Sequence, residues 1–289
     1  MVFTARHLEE YRREGFCLIE AMFPREELAC LHDALPAVLS EPSLRRVVEK
    51  DGHSVRSVYG SHQTHETFGR LVRHPRLLNA AESILGGSAY VYQFKINIKA
   101  PFAGDVWEWH QDYIFWREED GMPTSRVVNV ALYLDAVTEF NGPLFFIPRT
   151  HVQDAIDVAS RDADVAPTID AAYGQRPSWL SNLTADLKYS LPRELVATLA
   201  TRHGLVSAKG PAGSLLFFDA NLVHASPSNV SPFPRAMGVV TYNSVENAPP
   251  PRKESRPDFL ASRDPTPLVP LADHEWLSPG VPHLQSGRR

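Results

Sequence analysis

Through the first 87 residues, apolar positions recur mostly at helical spacing. Thr4 can cap a helix over residues 5 to 14, with Leu8 and Tyr11 on one face and Gly15 as its stop. Phe16 to Glu20 is a short apolar strand. Pro24 then opens a second helix that carries Leu28, Leu31 and Leu35 inward and reaches about Leu39. A third helical region runs from about Glu66 to Leu85, breaks near Pro75 and closes at Gly86-Gly87. Residues 1–87 therefore read as a helical N-terminal layer.

From Ser88 the period changes from 3.6 to 2. Strict alternation puts Tyr90, Tyr92, Phe94, Ile96 and Ile98 on one face and Gln93, Lys95 and Asn97 on the other. The polar face is either solvated or turned into a ligand-holding interior. Further strands are expected at Val127 to Leu134, Leu144 to Ile147, Ser214 to Phe218, Asn221 to His224 and Met237 to Asn243. The organisation is one domain over 1–289, mainly β with a helical outer layer: a sandwich or a closed double-sheet barrel. Residues 88–151 and 206–247 form its core. Residues 152–205 are an insertion that could cover its mouth, with a helix near Arg193 to Arg202. The Pro-rich tail, 248–289, should wrap the surface in extended form.

Composition narrows the partners. The net charge is −5, with charges of both signs interspersed and no run of five alike. Neither a nucleic-acid stripe nor a membrane-binding basic helix is suggested, so a small molecule is the expected partner; oligomeric state is left open. Cys17 and Cys30 sit in apolar surroundings and read as buried free thiols. No basic segment followed by an apolar one opens the chain, and no 18 apolar residues run together, which predicts a cytoplasmic protein.

The candidate chemistry begins in Trp107-Glu108-Trp109-His110-Gln111-Asp112-Tyr113-Ile114-Phe115-Trp116. In extended backbone, residues two apart point the same way, so His110 and Asp112 would face one point. Alone this is weak: with 12 His and 34 acidic residues in 289, roughly one or two His-x-Asp/Glu matches arise by chance. A second histidine, His224, lies in a later apolar strand, where it is either a core residue bonded to backbone or a third ligand. Two His and one carboxylate form the facial triad of mononuclear Fe(II) oxygenases. Zinc hydrolases can use a similar set, but the His-Glu-x-x-His helix is absent. Arg235 opens an apolar strand and needs a carboxylate, either from an Asp or Glu of the fold or from 2-oxoglutarate.

These residues, together with Val91 to Asn97, Gly104 to Trp107, Glu119 to Met122, Asn141 to Leu144 and Thr266 to Leu271, resemble the phytanoyl-CoA dioxygenase-like branch of the Fe(II)/2-oxoglutarate-dependent oxygenases. Within it they look most like the bacterial trans-4-hydroxylases of free L-proline, with the ectoine hydroxylases more distant. The resemblance covers nearly the whole chain and implies a double-stranded β-helix, the jelly-roll or cupin-like barrel, using Fe(II), 2-oxoglutarate and O2. It implies His110, Asp112 and His224 as iron ligands and Arg235 as anchor of the cosubstrate's distal carboxylate. Asn97, Phe218 and Ser226 would complete the cosubstrate pocket. Gln93, Tyr113 and Trp116, with Arg56 and His62, are the implied substrate residues. Glu108 and Arg117-Glu118 depart from the proline-hydroxylase pattern close to the ligands, where substrate choice would be written. A non-catalytic barrel would be expected to lack one of the ligands or Arg235, and all four are present.

Overall fold

The Thr4 hydroxyl accepts from the His7 amide while His7 Nδ1 accepts from the Thr4 amide, and this reciprocal cap starts α1 (Ala5–Glu14). Gly15, at φ 86°, ends it and turns the chain into β1 (Phe16–Ile19). Then follow α2 (Arg25–Ser40), β2 (Arg46–Val48), β3 (Val55–Tyr59), α3 (Ser61–Thr64), α4 (Glu66–Leu71) and α5 (Pro75–Leu85). The computed structural model describes residues 2–152, 183, 187–252, 255–272 and 275–276. Most of the expected insertion thus lies outside the described residues, as does the end of the tail. The first 87 residues are not purely a helical layer. β1, β2 and β3 all leave it to join a sheet, and Val47 and Val58 are buried from segments too short to form helices.

The remaining strands are β4 (Ala89–Lys99), β5 (Trp107–His110), β6 (Val127–Tyr133), β7 (Leu144–Phe146), β8 (Val206–Ala208), β9 (Leu215–Asp219), β10 (His224–Ser226) and β11 (Arg235–Ser244). A short helical turn, α6 (Asp112–Phe115), runs into a wider turn over Trp116–Asp120, and α7 (Arg193–His203) precedes β8. All pairings are antiparallel. The large sheet has the order β1-β9-β6-β11-β4-β3-β2, and the small one β5-β10-β7-β8. Alternation sorts their side chains. Val128, Val130 and Leu132 of β6 meet α2, α4 and α5 in the main core, while Ala131 and Tyr133 pack with Phe146, Phe218 and Met237 between the sheets.

Strand β4 departs from strict alternation. Thr241 pairs with Gln93 but Tyr242 with Val91, so Tyr92 is an extra residue. The bulge reverses the pattern: Val91, Phe94 and Ile96 join the helical core, whereas Tyr90 and Tyr92 turn inward towards Phe115 and Trp116. Gln93, Lys95 and Asn97 also face inward and line a cavity between the sheets. The aromatic run after Gln111 is helical rather than extended, which lets Tyr113, Phe115 and Trp116 pack with Tyr90 and Tyr92. The tail is not a surface wrap: Leu260 and Ala261 are fully buried. Cys17 is buried and Cys30 half-buried, and both are free. Among the described residues no helix is long and apolar enough to cross a membrane.

Candidate metal centre and active site

His110 ends β5 and His224 begins β10, and the two are direct cross-strand partners with ring centroids 4.1 Å apart. Gln111 keeps extended backbone (φ −121°, ψ 136°), so Asp112 returns to the same side two residues on. Each imidazole donates its Nδ1 proton to the backbone carbonyl two residues earlier, His110 to Glu108 at 2.6 Å and His224 to Leu222 at 2.9 Å. That fixes the tautomer and leaves both Nε2 lone pairs free. His110 Nε2 lies 3.5 Å from Asp112 Oδ1 and His224 Nε2 lies 3.9 Å from Asp112 Oδ2. One ligand atom from each of the three buried residues falls within 4.8 Å of the others, close enough to hold one metal ion.

Electrostatics agrees with that donor set. Burial, then the neighbouring His110, pushes His224 down to about 3, so it is neutral at physiological pH. Burial alone would raise the Asp112 carboxyl, but Lys95 and the two imidazoles outweigh it and hold it below the usual carboxylate range. Asn129, buried in the all-apolar surroundings of β6, donates to Asp112 Oδ2 at 2.9 Å and accepts from Thr241 Oγ1 at 2.7 Å. Two imidazole nitrogens and one oriented carboxylate, leaving further positions free, fit Fe(II).

Arg235, the first residue of β11, is 2% exposed. Its Nη2 donates to Gly142 O at 2.6 Å and Ser226 Oγ at 3.3 Å, while Nε is buried without a partner. Burial pushes its pKa down to about 10, which still leaves it charged at neutral pH. Among the described residues no carboxylate of the fold pairs with it. Of the two expectations for this arginine, the intramolecular salt bridge is therefore not the one realised. Asn97 accepts from Ser57 Oγ at 2.8 Å, and Phe218 sets its edge against His224 at 5.4 Å. Asn97, Phe218, Ser226 and Arg235 all line the cavity with His110, Asp112 and His224; its space, open mouth included, is about 790 Å³.

The model of the family described as phytanoyl-CoA dioxygenase matches residues 11–237. The chain belongs to the phytanoyl-CoA dioxygenase family. Over 261 residues it is 36% identical to the L-proline trans-4-hydroxylase of Streptomyces griseoviridis, covering 90% of this chain and 93% of that one. Over 268 residues it is 35% identical to the ectoine dioxygenase of Bordetella parapertussis, covering 90% and 82%. The crystal structure of EctD from S. alaskensis with bound Fe has a TM-score of 0.77 at 30% identity, covering 93% of this chain and 87% of that chain. The same enzyme has been solved with 2-oxoglutarate and 5-hydroxyectoine. This family member is thus a cupin-like Fe(II)/2-oxoglutarate-dependent dioxygenase that uses O2 to hydroxylate a small molecule.

The expected substrate residues separate in space. Gln93 and Trp116 line the cavity, with Gln93 Nε2 donating to Leu260 O at 2.6 Å. Arg56 does not: it pairs with Glu49 at 3.0 Å, donates to Val106 O and stacks on Trp107 at 3.7 Å. His62 lies behind the sheet against Phe94, and Tyr113 points its hydroxyl at Met122 O. Glu108 is exposed, and Arg117 pairs with Glu118 outside the cavity. Sequence reasoning put Lys95 on the polar face of β4 without giving it a role, and missed Asn129, Trp107 and Arg256 as cavity or site residues. A lone Asn in Val127-Val128-Asn129-Val130 was the available signal for Asn129; Arg256, in a Pro-rich tail, offered none.

Proposed function

We propose that this dioxygenase hydroxylates a free small amino acid, L-proline to trans-4-hydroxy-L-proline, with succinate and CO2 as coproducts. What carries the choice of substrate is the 36% identity to an L-proline trans-4-hydroxylase over nearly the full length of both chains. A second reading, an ectoine-like substrate, is favoured by the 35% identity to an ectoine dioxygenase and the match to EctD holding 5-hydroxyectoine.

In this reading His110, Asp112 and His224 hold Fe(II), Nε2 serving as the donor atom of each imidazole. Arg235, supported by Gly142 O and Ser226, takes the distal carboxylate of 2-oxoglutarate, and Asn97 and Ser226 hydrogen-bond the cosubstrate beside Phe218. Bound iron and 2-oxoglutarate supply, with O2, the oxidant that converts C–H to C–OH as the cosubstrate loses CO2. Gln93 and Trp116 orient the substrate. Phe115 and Trp107 on the cavity wall exclude water, which protects the reaction from side chemistry.

The test is anaerobic loading with Fe(II), then a panel of free amino acids and ectoine with 2-oxoglutarate and air. Proline should stimulate succinate release and gain one oxygen atom. Succinate at no more than the substrate-free rate with proline, and none of its oxygenated product, would sink the proline assignment. H110A should abolish coupled turnover, and retained activity would overturn the metal assignment.

A further inference from the structure

Asn97 is useful on the cavity wall only if it is held the right way round. A carboxamide has an acceptor end and a donor end of nearly the same shape. With its N–H pair turned into the cavity it attracts an anion such as 2-oxoglutarate. Turned over, it sets an oxygen lone pair against the oxygens of that anion. The position of Asn97 in β4 fixes the direction of the side chain towards the cavity, and leaves the choice between the two ends open.

Strand β3 makes that choice. Ser57 is the cross-strand partner of Asn97. Val58 packs in the helical core, so Ser57 and Tyr59 turn to the opposite face of the sheet, where Tyr59 lines the cavity. Ser57 is fully buried, and its hydroxyl donates to Asn97 Oδ1 at 2.8 Å. Turning the amide over would take the acceptor from a buried proton, which costs more than the hydrogen bond is worth when made. Asn97 Nδ2, by contrast, donates to no described residue, and the half-buried side chain opens on the cavity. For packing alone an alanine would serve at position 57, because a hydroxyl in so dry a place is a burden unless it has a partner.

We propose that Ser57 is a positioning residue for the cosubstrate: it holds the Asn97 amide with both N–H groups turned to the cavity, so that this part of the wall receives a carboxylate and refuses a hydrogen-bond donor. Ser57 does not line the cavity and acts only through Asn97. The inference rests on the reading above in which Asn97 hydrogen-bonds 2-oxoglutarate, and it names the residue that gives Asn97 its polarity.

The test is anaerobic calorimetry of 2-oxoglutarate binding to the Fe(II)-loaded protein, comparing S57A, N97A and S57A/N97A with the unaltered chain. An amide free to turn presents its oxygen to the anion part of the time, so S57A should weaken 2-oxoglutarate about fivefold, the worth of one neutral hydrogen bond. N97A should weaken it at least as much. The double variant should bind no more weakly than N97A, because Ser57 then has nothing to orient. In turnover the loss should fall on the KM for 2-oxoglutarate, with kcat at saturating cosubstrate and the KM for the hydroxylated substrate little changed. Unchanged Fe(II) affinity reports an intact fold. Should S57A misfold, S57C keeps the volume, replaces the hydroxyl by a weak donor and carries the same expectation. Full 2-oxoglutarate affinity in the Ser57 variant, or an equal loss in the N97A background, overturns the proposal. If the Ser57 and Asn97 variants together raise the KM of the hydroxylated substrate and leave 2-oxoglutarate binding alone, the orienting role of Ser57 stands and the cosubstrate contact of Asn97 falls.

Discussion

At the scale of single residues, the metal centre depends on a polar chain behind it. Thr241 donates to Asn129, which donates to Asp112, and all three are buried on the cavity side of the large sheet. A carboxylate so gripped presents its lone pairs in one direction, and outer partners of this kind are worth roughly 10- to 100-fold in metal affinity. N129A should therefore weaken Fe(II) binding by about tenfold or more, measured by anaerobic titration, with the KM for 2-oxoglutarate changed little. Unaltered iron affinity would show that Asp112 needs no such support. Such residues divide by legibility. His110, Asp112, His224 and Arg235 stood out because ionisable groups in apolar β segments demand partners. Asn129, equally buried, carries no charge, and one amide in a strand is easily read as a harmless substitution. Arg56 misled for the converse reason: its carboxylate partner, Glu49, lies seven residues earlier in a stretch whose strand pairing the pattern did not reveal.

At the scale of elements, the turn before β7 serves the site as much as the strands do. Gly142 sits at φ 80°, and a Cβ there would come within 2.5 Å of Lys99 Cδ and 2.8 Å of Pro227 O. Its carbonyl accepts from both Arg235 and Ser226. G142A would strain the turn and push it off Lys99, moving the carbonyl that aims the guanidinium. The KM for 2-oxoglutarate should rise about tenfold, the cost of weakening one charge-assisted hydrogen bond, with a smaller change in the KM for the hydroxylated substrate. An equal rise in both would point to general unfolding instead. Most elements were legible because periodicity survives along them: α1, α2, α5, β6 and β11 fall where the apolar spacing puts them. β4 was legible only in part. Its Tyr-x-Tyr start looks like uninterrupted alternation, and an extra residue in a bulge leaves no mark on a pattern of period 2.

For the molecule as a whole, the large sheet divides the protein into a helical side that stores stability and a cavity side that spends it. β3 pairs with β4 only over Lys95 to Asn97. Beyond that, the C-terminal segment supplies partners to the rest of β4: Ser262 N donates to Tyr92 O and Leu268 N to Ala89 O, both at 2.9 Å. A tail with seven prolines from Pro249 to Pro270 reads as loose because proline breaks ladders, yet its few free N–H groups fall where the sheet edge needs them. On the helical side, burial and the nearby Arg45 push His62 down to about 4, and burial and Arg76 do the same for His74. Both are neutral in the folded protein, whereas in the unfolded chain a histidine titrates near pH 6.5. Between these values the unfolded state binds more protons, so stability is complete above about pH 6.5 and falls as the pH drops towards 4. Replacing His62, which lies against Phe94 and away from the cavity, by Phe removes its share of that loss. The melting temperature of H62F relative to the unaltered protein should therefore rise by about 4 °C between pH 7.5 and pH 5, taking roughly 2 °C per kcal/mol for a chain of this size. A difference that stays constant over that range would mean that His62 takes up its proton without leaving the fold.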